Sequence, residues 1–256
     1  MFKKDLFNGQ TILVTGGGSG IGFEIAKQFL EYGAEVYIAS RKEERLEKAQ
    51  EALSEFGNCK SFQLDIRNNE QIEELAKLIE SQSGKLDVLI NNAGGQFPSP
   101  AKDFSPNGWN AVINTNLNGT WFMTQTMARY FFLKQESGAI VNIVINNFRG
   151  SPGMAHSGAA RAGVENLSKS LAIEWVKENI RINCVAPGII KSSGLENYPP
   201  ELVAQVSKNI PMKRLGTTEE VANLVLYLSS LMAKYITGET IYIDGGNRLW
   251  GDVWEI

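Results

Sequence analysis

The run G-G-G-S-G-I-G at 16–22 follows the β-branched segment TILVT (11–15) directly and opens a stretch, 20–32, whose Ile21, Ile25, Phe29 and Leu30 fall on one helical face. A strand that passes into a helix through so many glycines permits few folds. The turn must be tight, and the unpaired N–H groups of the helix N-terminus must sit at the C-terminal end of the strand. That junction is also a seat for a pyrophosphate, because a backbone without Cβ atoms allows close approach and the helix end carries partial positive charge. A bare tight turn would use the same glycines. The strand before, the helix after and the βαβ pattern that follows favour dinucleotide binding, with Gly16, Gly18, Ser19, Gly20, Ile21 and Gly22 as the predicted loop contacts.

The rest of the chain repeats that alternation. AEVYIAS (34–40), KSFQL (60–64), LDVLIN (86–91), AIVNIVI (139–145), RINCVA (181–186) and TIYI (240–243) join TILVT as seven predicted strands, separated by amphipathic stretches such as 68–82, with Ile72, Leu75, Ala76, Leu78 and Ile79 on one face. Strands alternating with helices predict one doubly wound α/β domain over 1–256, a parallel sheet covered on both faces. The irregular stretch 187–216 holds four of the eight prolines. It is long for a bare connection, so a short helix near 201–209 and a substrate lid over about 188–216 are expected.

Composition narrows the function. A net charge of -3 provides no general basic field for nucleic acid or anionic lipid, and no run approaches the roughly 20 apolar residues of a membrane span. Cys59 and Cys184 lie in apolar segments without metal-ligand spacing and read as buried thiols. With no secretory or peroxisomal signal in the chain, a cytoplasmic location is expected, with a small molecule as ligand and neither nucleic acid, membrane nor metal as partner.

The glycine spacing GxxxGxG, N-N-A-G at 91–94, A-P-G at 186–188 and I-D-G-G at 243–246 together resemble the short-chain dehydrogenase/reductase family over essentially the whole chain. The resemblance implies a Rossmann-type sheet in the order 3-2-1-4-5-6-7, a nicotinamide cofactor and a homodimer or homotetramer. It also implies that Asp65 meets the adenine, that Asn91 supports the sheet beside the cofactor and that Ile190 offers backbone groups to the carboxamide. Ile66, Asn92, Ala93, Gly94, Pro187 and Gly188 complete the implied cofactor contacts. Where an NAD enzyme would place an acidic residue after the second strand, this chain has Ser40, Arg41 and Lys42. A hydroxyl and a planar guanidinium suit a 2′-phosphate, so NADPH is the expected cofactor; Arg41 and Lys42 could otherwise merely begin a charged surface helix.

Members of the family that reduce carbonyls carry Tyr-x-x-x-Lys after the fifth strand. Here the segment reads M-A-H-S-G-A-A-R-A-G-V, which puts Ser157 at the tyrosine position and Arg161 at the lysine. The usual upstream serine is also absent, with Asn146 and Asn147 near its place. The sequence does contain Tyr130 and Lys134 at that spacing, but they precede the fifth strand, where an ordinary contact on one helix face is expected. H-S-G-A-A-R-A-G-V, N-N-A-G-G-Q-F-P-S-P and L-E-N-Y resemble the branch holding peroxisomal trans-2-enoyl-CoA reductase, and the variant serine is shared with the 2,4-dienoyl-CoA reductases. The dienoyl enzymes carry a tyrosine eleven residues before that serine, where this chain has Asn146.

Ketone reduction needs a proton on the developing alkoxide, whereas hydride addition to the β-carbon of an enoyl thioester leaves an enolate that neutral donors can stabilise. Ser157 and Asn116 are the expected active-site donors, Asn118 the alternative, and Arg161 the anchor of the nicotinamide ribose, since a guanidinium cannot serve as the acid. Ser157 as a helix cap, His156 as the proton donor and Tyr198 on the lid are competing readings. Phe97, Phe104 and Trp109 are expected to be walls or core, and Trp250 and Trp254 to pack on a neighbouring subunit or on their own core. The expected activity is NADPH-dependent reduction of a trans-2-enoyl-CoA; an alcohol or aldehyde dehydrogenase for branched or terpenoid chains and a weakly catalytic NADPH-binding protein are the alternatives.

Overall fold

A computed structural model describes residues 2–192, 195 and 206–249. Seven parallel strands form one sheet: β1 (Thr11–Thr15), β2 (Glu35–Ser40), β3 (Cys59–Gln63), β4 (Val88–Asn91), β5 (Gly138–Ile143), β6 (Ile180–Pro187) and, after the two-residue strands β7 (Ile190–Lys191) and β8 (Gly216–Thr217), β9 (Thr240–Ile243). Their order is β3-β2-β1-β4-β5-β6-β9, the doubly wound arrangement expected, with strand ends differing by at most two residues from the reading above. The small parallel ribbon of β7 and β8 was not expected; it ties the two ends of the long irregular stretch together. The helix expected near 201–209, Tyr198, Trp250 and Trp254 lie wholly or largely outside the described residues.

Period-two alternation divides the strands between two cores. Ile12, Val14, Val36, Ile38, Val88 and Ile90 point to one face, which packs against α1 (Gly20–Glu31), α2 (Glu43–Ser54) and, after the helices below, α8 (Thr218–Ser229). Leu13, Tyr37, Leu89 and Ile140 point to the other, under α3 (Asn69–Ser83), α5 (Gly119–Met127) and α7 (Ala155–Glu174). The chain reaches α5 through α4 (Pro106–Ile113) and a wide π-type turn at Asn114–Asn118, and leaves it through a second at Ala128–Phe132 into α6 (Leu133–Gln135). Tyr130 and Lys134 lie on that last segment, where Lys134 Nζ stands 5.6 Å from the Tyr130 ring centroid.

Local chemistry fixes the helix ends. Asn68 accepts N–H bonds from Glu70 and Gln71 at the start of α3, and Gly84 closes it in the left-handed region. Thr217 and Glu220 form a reciprocal capping box on α8, and Arg214 clasps the Glu220 carboxylate at 2.6 Å. Arg214 first and the Thr217 N–H second hold that carboxyl down at about 2. The stabilisation is therefore complete above the ordinary carboxyl range and fades only as pH falls towards about 2. Thr217→Ala is expected to cost about 1 kcal/mol, measured by urea unfolding at neutral pH.

Cys59 and Cys184 are free and buried, and burial pushes their thiols up to about 12 and about 11. Both therefore stay protonated at mildly alkaline pH. Treatment of the native chain with iodoacetamide should leave both unmodified by mass spectrometry, and denaturation should expose both; rapid alkylation of the folded chain would contradict this burial.

Candidate active site

The C-terminal ends of β1, β4, β5 and β6 converge on one crevice. Gly16 turns the chain at φ 70°, and a Cβ there would lie 2.7 Å from Asn92 Nδ2. At Gly22 a Cβ would lie 2.4 Å from the Gly16 carbonyl, so only glycine lets α1 rise this close to its own loop. Ser19 makes no side-chain cap, leaving the first-turn N–H groups of α1 without that acceptor. Thr15, which sequence reading passed over, clamps β1 to β4: its hydroxyl donates to the Ile90 carbonyl at 3.2 Å and accepts the N–H groups of Asn92 and Ala93, each at 3.0 Å. Asn92 Nδ2 returns a bond to the Thr15 carbonyl at 3.0 Å. Asn91 instead faces the interior and bridges Thr124 to Asn142, which itself donates to Ser168 on α7.

Ser40 ends β2 with its hydroxyl buried and without a partner, next to Gly18. Arg41 and Lys42 are exposed beyond it. Asp65 is gripped by the Arg67 fork, whose Nε and Nη2 lie within 3.1 Å of its oxygens. Arg67, and to a lesser degree Arg41, hold that carboxyl below its usual range. Ile66 is buried against Gly119. A cavity of about 490 Å³ is lined by Asp65, Arg67, Asn68, Asn114, Asn118 and Phe122. Asn118 thus belongs to the Asp65 side of the crevice and donates to Asn114 Oδ1 at 2.8 Å. This corrects its reading as an alternative donor beside Ser157: residues two apart on a helix face different directions, and only Asn116 turns inward.

Asn116 is wholly buried in the π-type turn. Its amide clamps one residue from both sides, accepting the Gly95 N–H and donating to the Gly95 carbonyl, each at 2.9 Å. The next residue, Gln96, accepts the Ser157 hydroxyl at 2.6 Å. Asn116 therefore acts on Ser157 through the Gly95–Gln96 backbone and makes no direct bond to it. Gln96 was legible only as part of the quoted G-Q-F-P-S-P loop.

Ser157 is 0% exposed and lies within the first turn of α7, which starts at Ala155. It is not the helix cap; Met154 occupies that position, without a side-chain bond. The adjacent His156 is also fully buried, between Phe97 and Phe104, with ring centroids 4.7 and 4.4 Å away. Its Nδ1 accepts the Ser157 N–H at 2.8 Å, so in the neutral ring the proton resides on Nε2, which has no partner. Phe104 also stacks edge-on with Trp109 at 6.5 Å, so these aromatics form the wall beside the serine.

Arg161, one helical turn beyond Ser157, is 7% exposed and donates from Nη1 to the Ile143 carbonyl at 2.9 Å. Its Nε has no partner, and burial draws the group down to about 10. A Cβ at Gly94 would come within 2.1 Å of its Nη2, so only glycine there leaves room for the end of the guanidinium. Asn146 and Asn147 point away from Ser157: the first donates to Asp244 at 3.0 Å, and the second bonds Glu165. The Gly188 N–H donates to the Ile243 carbonyl just after Pro187, while Ile190 is buried in β7.

A glycine-lined crevice at the sheet's switch point, a buried hydroxyl and a buried cation define a nicotinamide-dependent oxidoreductase. The chain belongs to the short-chain dehydrogenase/reductase family: the family model described as enoyl-(acyl carrier protein) reductase matches residues 16–248. A probable 2,4-dienoyl-CoA reductase of Bacillus subtilis is 39% identical over 246 residues, covering 94% of this chain and 97% of that protein. A 3-oxoacyl-[acyl-carrier-protein] reductase of Chlamydia muridarum is 39% identical, covering 95% and 99% respectively. Among solved structures, a citronellol catabolism dehydrogenase of Pseudomonas aeruginosa is 38% identical with a TM-score of 0.88, covering 97% of this chain and 98% of that one.

Proposed function

We propose that this oxidoreductase uses NADPH to reduce the α,β double bond of a trans-2-enoyl-CoA or related acyl thioester. One observation carries the reading: at the residue facing the crevice the chain has a buried serine whose hydroxyl already donates to an amide carbonyl, that of Gln96, at 2.6 Å. A thioester oxygen taking the place of that carbonyl would receive the same bond. The orphaned Ser40 hydroxyl, the uncapped start of α1 and the close approach at Gly94 fit a dinucleotide. Gly16 to Gly22 would hold its pyrophosphate, Ser40, Arg41 and Lys42 its 2′-phosphate end, Asp65 its adenine, and Arg161 its nicotinamide ribose. When bound, the cofactor supplies a hydride to the β-carbon.

The chain's own groups then have separate tasks. Ser157 donates to the thioester oxygen, where negative charge accumulates in the enolate. Asn116 keeps Gly95 and Gln96 in register with that donor. Arg161 orients the ribose and adds positive potential without giving up a proton. Phe97, Phe104 and Trp109 form the aromatic wall on one side; the middle of the expected lid lies outside the described residues. The α-carbon takes its proton from solvent.

A carbonyl reductase for branched or terpenoid chains is the second reading, favoured by the likeness to the citronellol catabolism dehydrogenase. The two are separated by NADPH oxidation with crotonyl-CoA, a longer 2-enoyl-CoA, a 2,4-dienoyl-CoA and citronellal. Turnover confined to 2-enoyl thioesters is expected; faster turnover of the dienoyl thioester or of citronellal, or binding without turnover, contradicts the proposal. Exposed Leu231, Met232 and Tyr235 support assembly as a homodimer or homotetramer, which light scattering measures directly.

A further inference from the structure

The sequence offers Arg41 as the obvious partner of a 2′-phosphate, but the structure places a second arginine closer to the slot. Gly18 lies against the end of β2: a Cβ there would be 3.2 Å from Ser40 Oγ and 3.6 Å from Arg45 Cγ. Arg45 is the third residue of α2, and side chains on a helix lean back towards its N-terminus, here over Gly18. The cavity beside it, about 530 Å³, is lined by Gly18, Phe23, Lys42, Glu44, Arg45, Lys48 and Ala49.

Three independent features make this an anion slot. The Ser40 hydroxyl is buried with no partner, a state that costs free energy until an acceptor arrives. Lys42 precedes the 12-residue helix α2 without a side-chain cap, so the first-turn N–H groups lack that acceptor too. Arg45 has no ion pair among the described residues, whereas Lys48 is committed to Glu44 at 2.8 Å, which also occupies one of the two first-turn carboxylates. Arg41 is drawn the other way: its charge acts on Asp65, and its carbonyl accepts from Gln63 on β3.

We propose that Arg45 joins the 2′-phosphate end and contributes most of the selection for the phosphorylated dinucleotide, gripping the 2′-phosphate together with the Ser40 hydroxyl and the start of α2, while Arg41 flanks that end on the side of Asp65. This rests on the NADPH reading above. A guanidinium fork on a phosphate makes charge-assisted bonds, and losing them should weaken binding about 10- to 100-fold. Lys48, held by Glu44, should contribute little.

Calorimetric titration of the whole chain with NADPH, NADH, 2′,5′-ADP and 5′-AMP tests this without turnover. Arg45→Ala should weaken NADPH and 2′,5′-ADP about 10- to 100-fold, leave NADH and 5′-AMP within about twofold, and flatten the salt dependence of NADPH binding; Lys48→Ala should behave as wild type. Arg45 is exposed, so the melting temperature should hold. Where the wild type prefers NADPH, equal loss for NADH and NADPH in Arg45→Ala, or an unchanged NADPH affinity in that variant, overturns the role of Arg45 alone. Equal wild-type affinity for NADPH and NADH overturns the cofactor reading itself.

Discussion

Ser157→Ala lowers kcat with the enoyl thioester by about 100-fold or more, while the affinity for NADPH changes little. The size follows from what a preorganised donor supplies to a developing oxyanion in a water-poor site, about 3 to 4 kcal/mol. The hydroxyl is fully buried and its donor geometry is fixed at 2.6 Å on Gln96, so little reorganisation is needed to reach a substrate oxygen. Ser157→Thr keeps the donor but adds a methyl group in a filled site, and should fall between the two. A loss confined to KM would show that the hydroxyl only binds substrate. Loss of stability without a change in the rate of the remaining folded enzyme would reduce Ser157 to a packing residue.

The second large effect has opposite signs in stability and function. Arg161 is a buried cation with one hydrogen bond to a carbonyl and an orphaned Nε, and burial draws its pKa down to about 10. At neutral pH the group remains charged, so the folded state carries that desolvation cost; only above about 10 would deprotonation relieve it. Arg161→Met is therefore expected to unfold at an equal or higher denaturant midpoint, by up to about 3 kcal/mol, since similar-sized apolar replacements of buried charges are often stabilising. In the same variant, NADPH affinity should fall by about tenfold or more and kcat by at least as much, because the ribose anchor and its field are gone. Destabilisation by several kcal/mol would mean that the Ile143 bond and the packing on Gly94 outweigh the burial of charge.

The fold was legible because each strand obeys period two and each helix its 3.6-residue face: Ile12 and Val14 separate from Leu13 in the structure as they do in the pattern. The glycine loop was legible because its requirement is local. The active site was less so. Ser157 and Arg161 could be placed by their spacing on one helix, but Gln96 meets Ser157 across 61 residues, and no local pattern announces that bond. Asn116 and Asn118 are equivalent as letters; the wide turn at Asn114–Asn118 and the Gly95 clamp separate them only in three dimensions. Arg45 is one charge among several between Arg41 and Lys48, and only the fold sets it beside Gly18, next to Ser40.

The central claim is the site of reduction, and an isotopic label follows it directly. With NADPH deuterated at the transferred position, a 2-enoyl-CoA should give a saturated thioester carrying deuterium on the β-carbon and a solvent proton on the α-carbon, read by NMR. Recovery of that thioester unreduced, with deuterium instead on the carbinol carbon formed from a 3-oxoacyl-CoA or an aldehyde, would contradict the account.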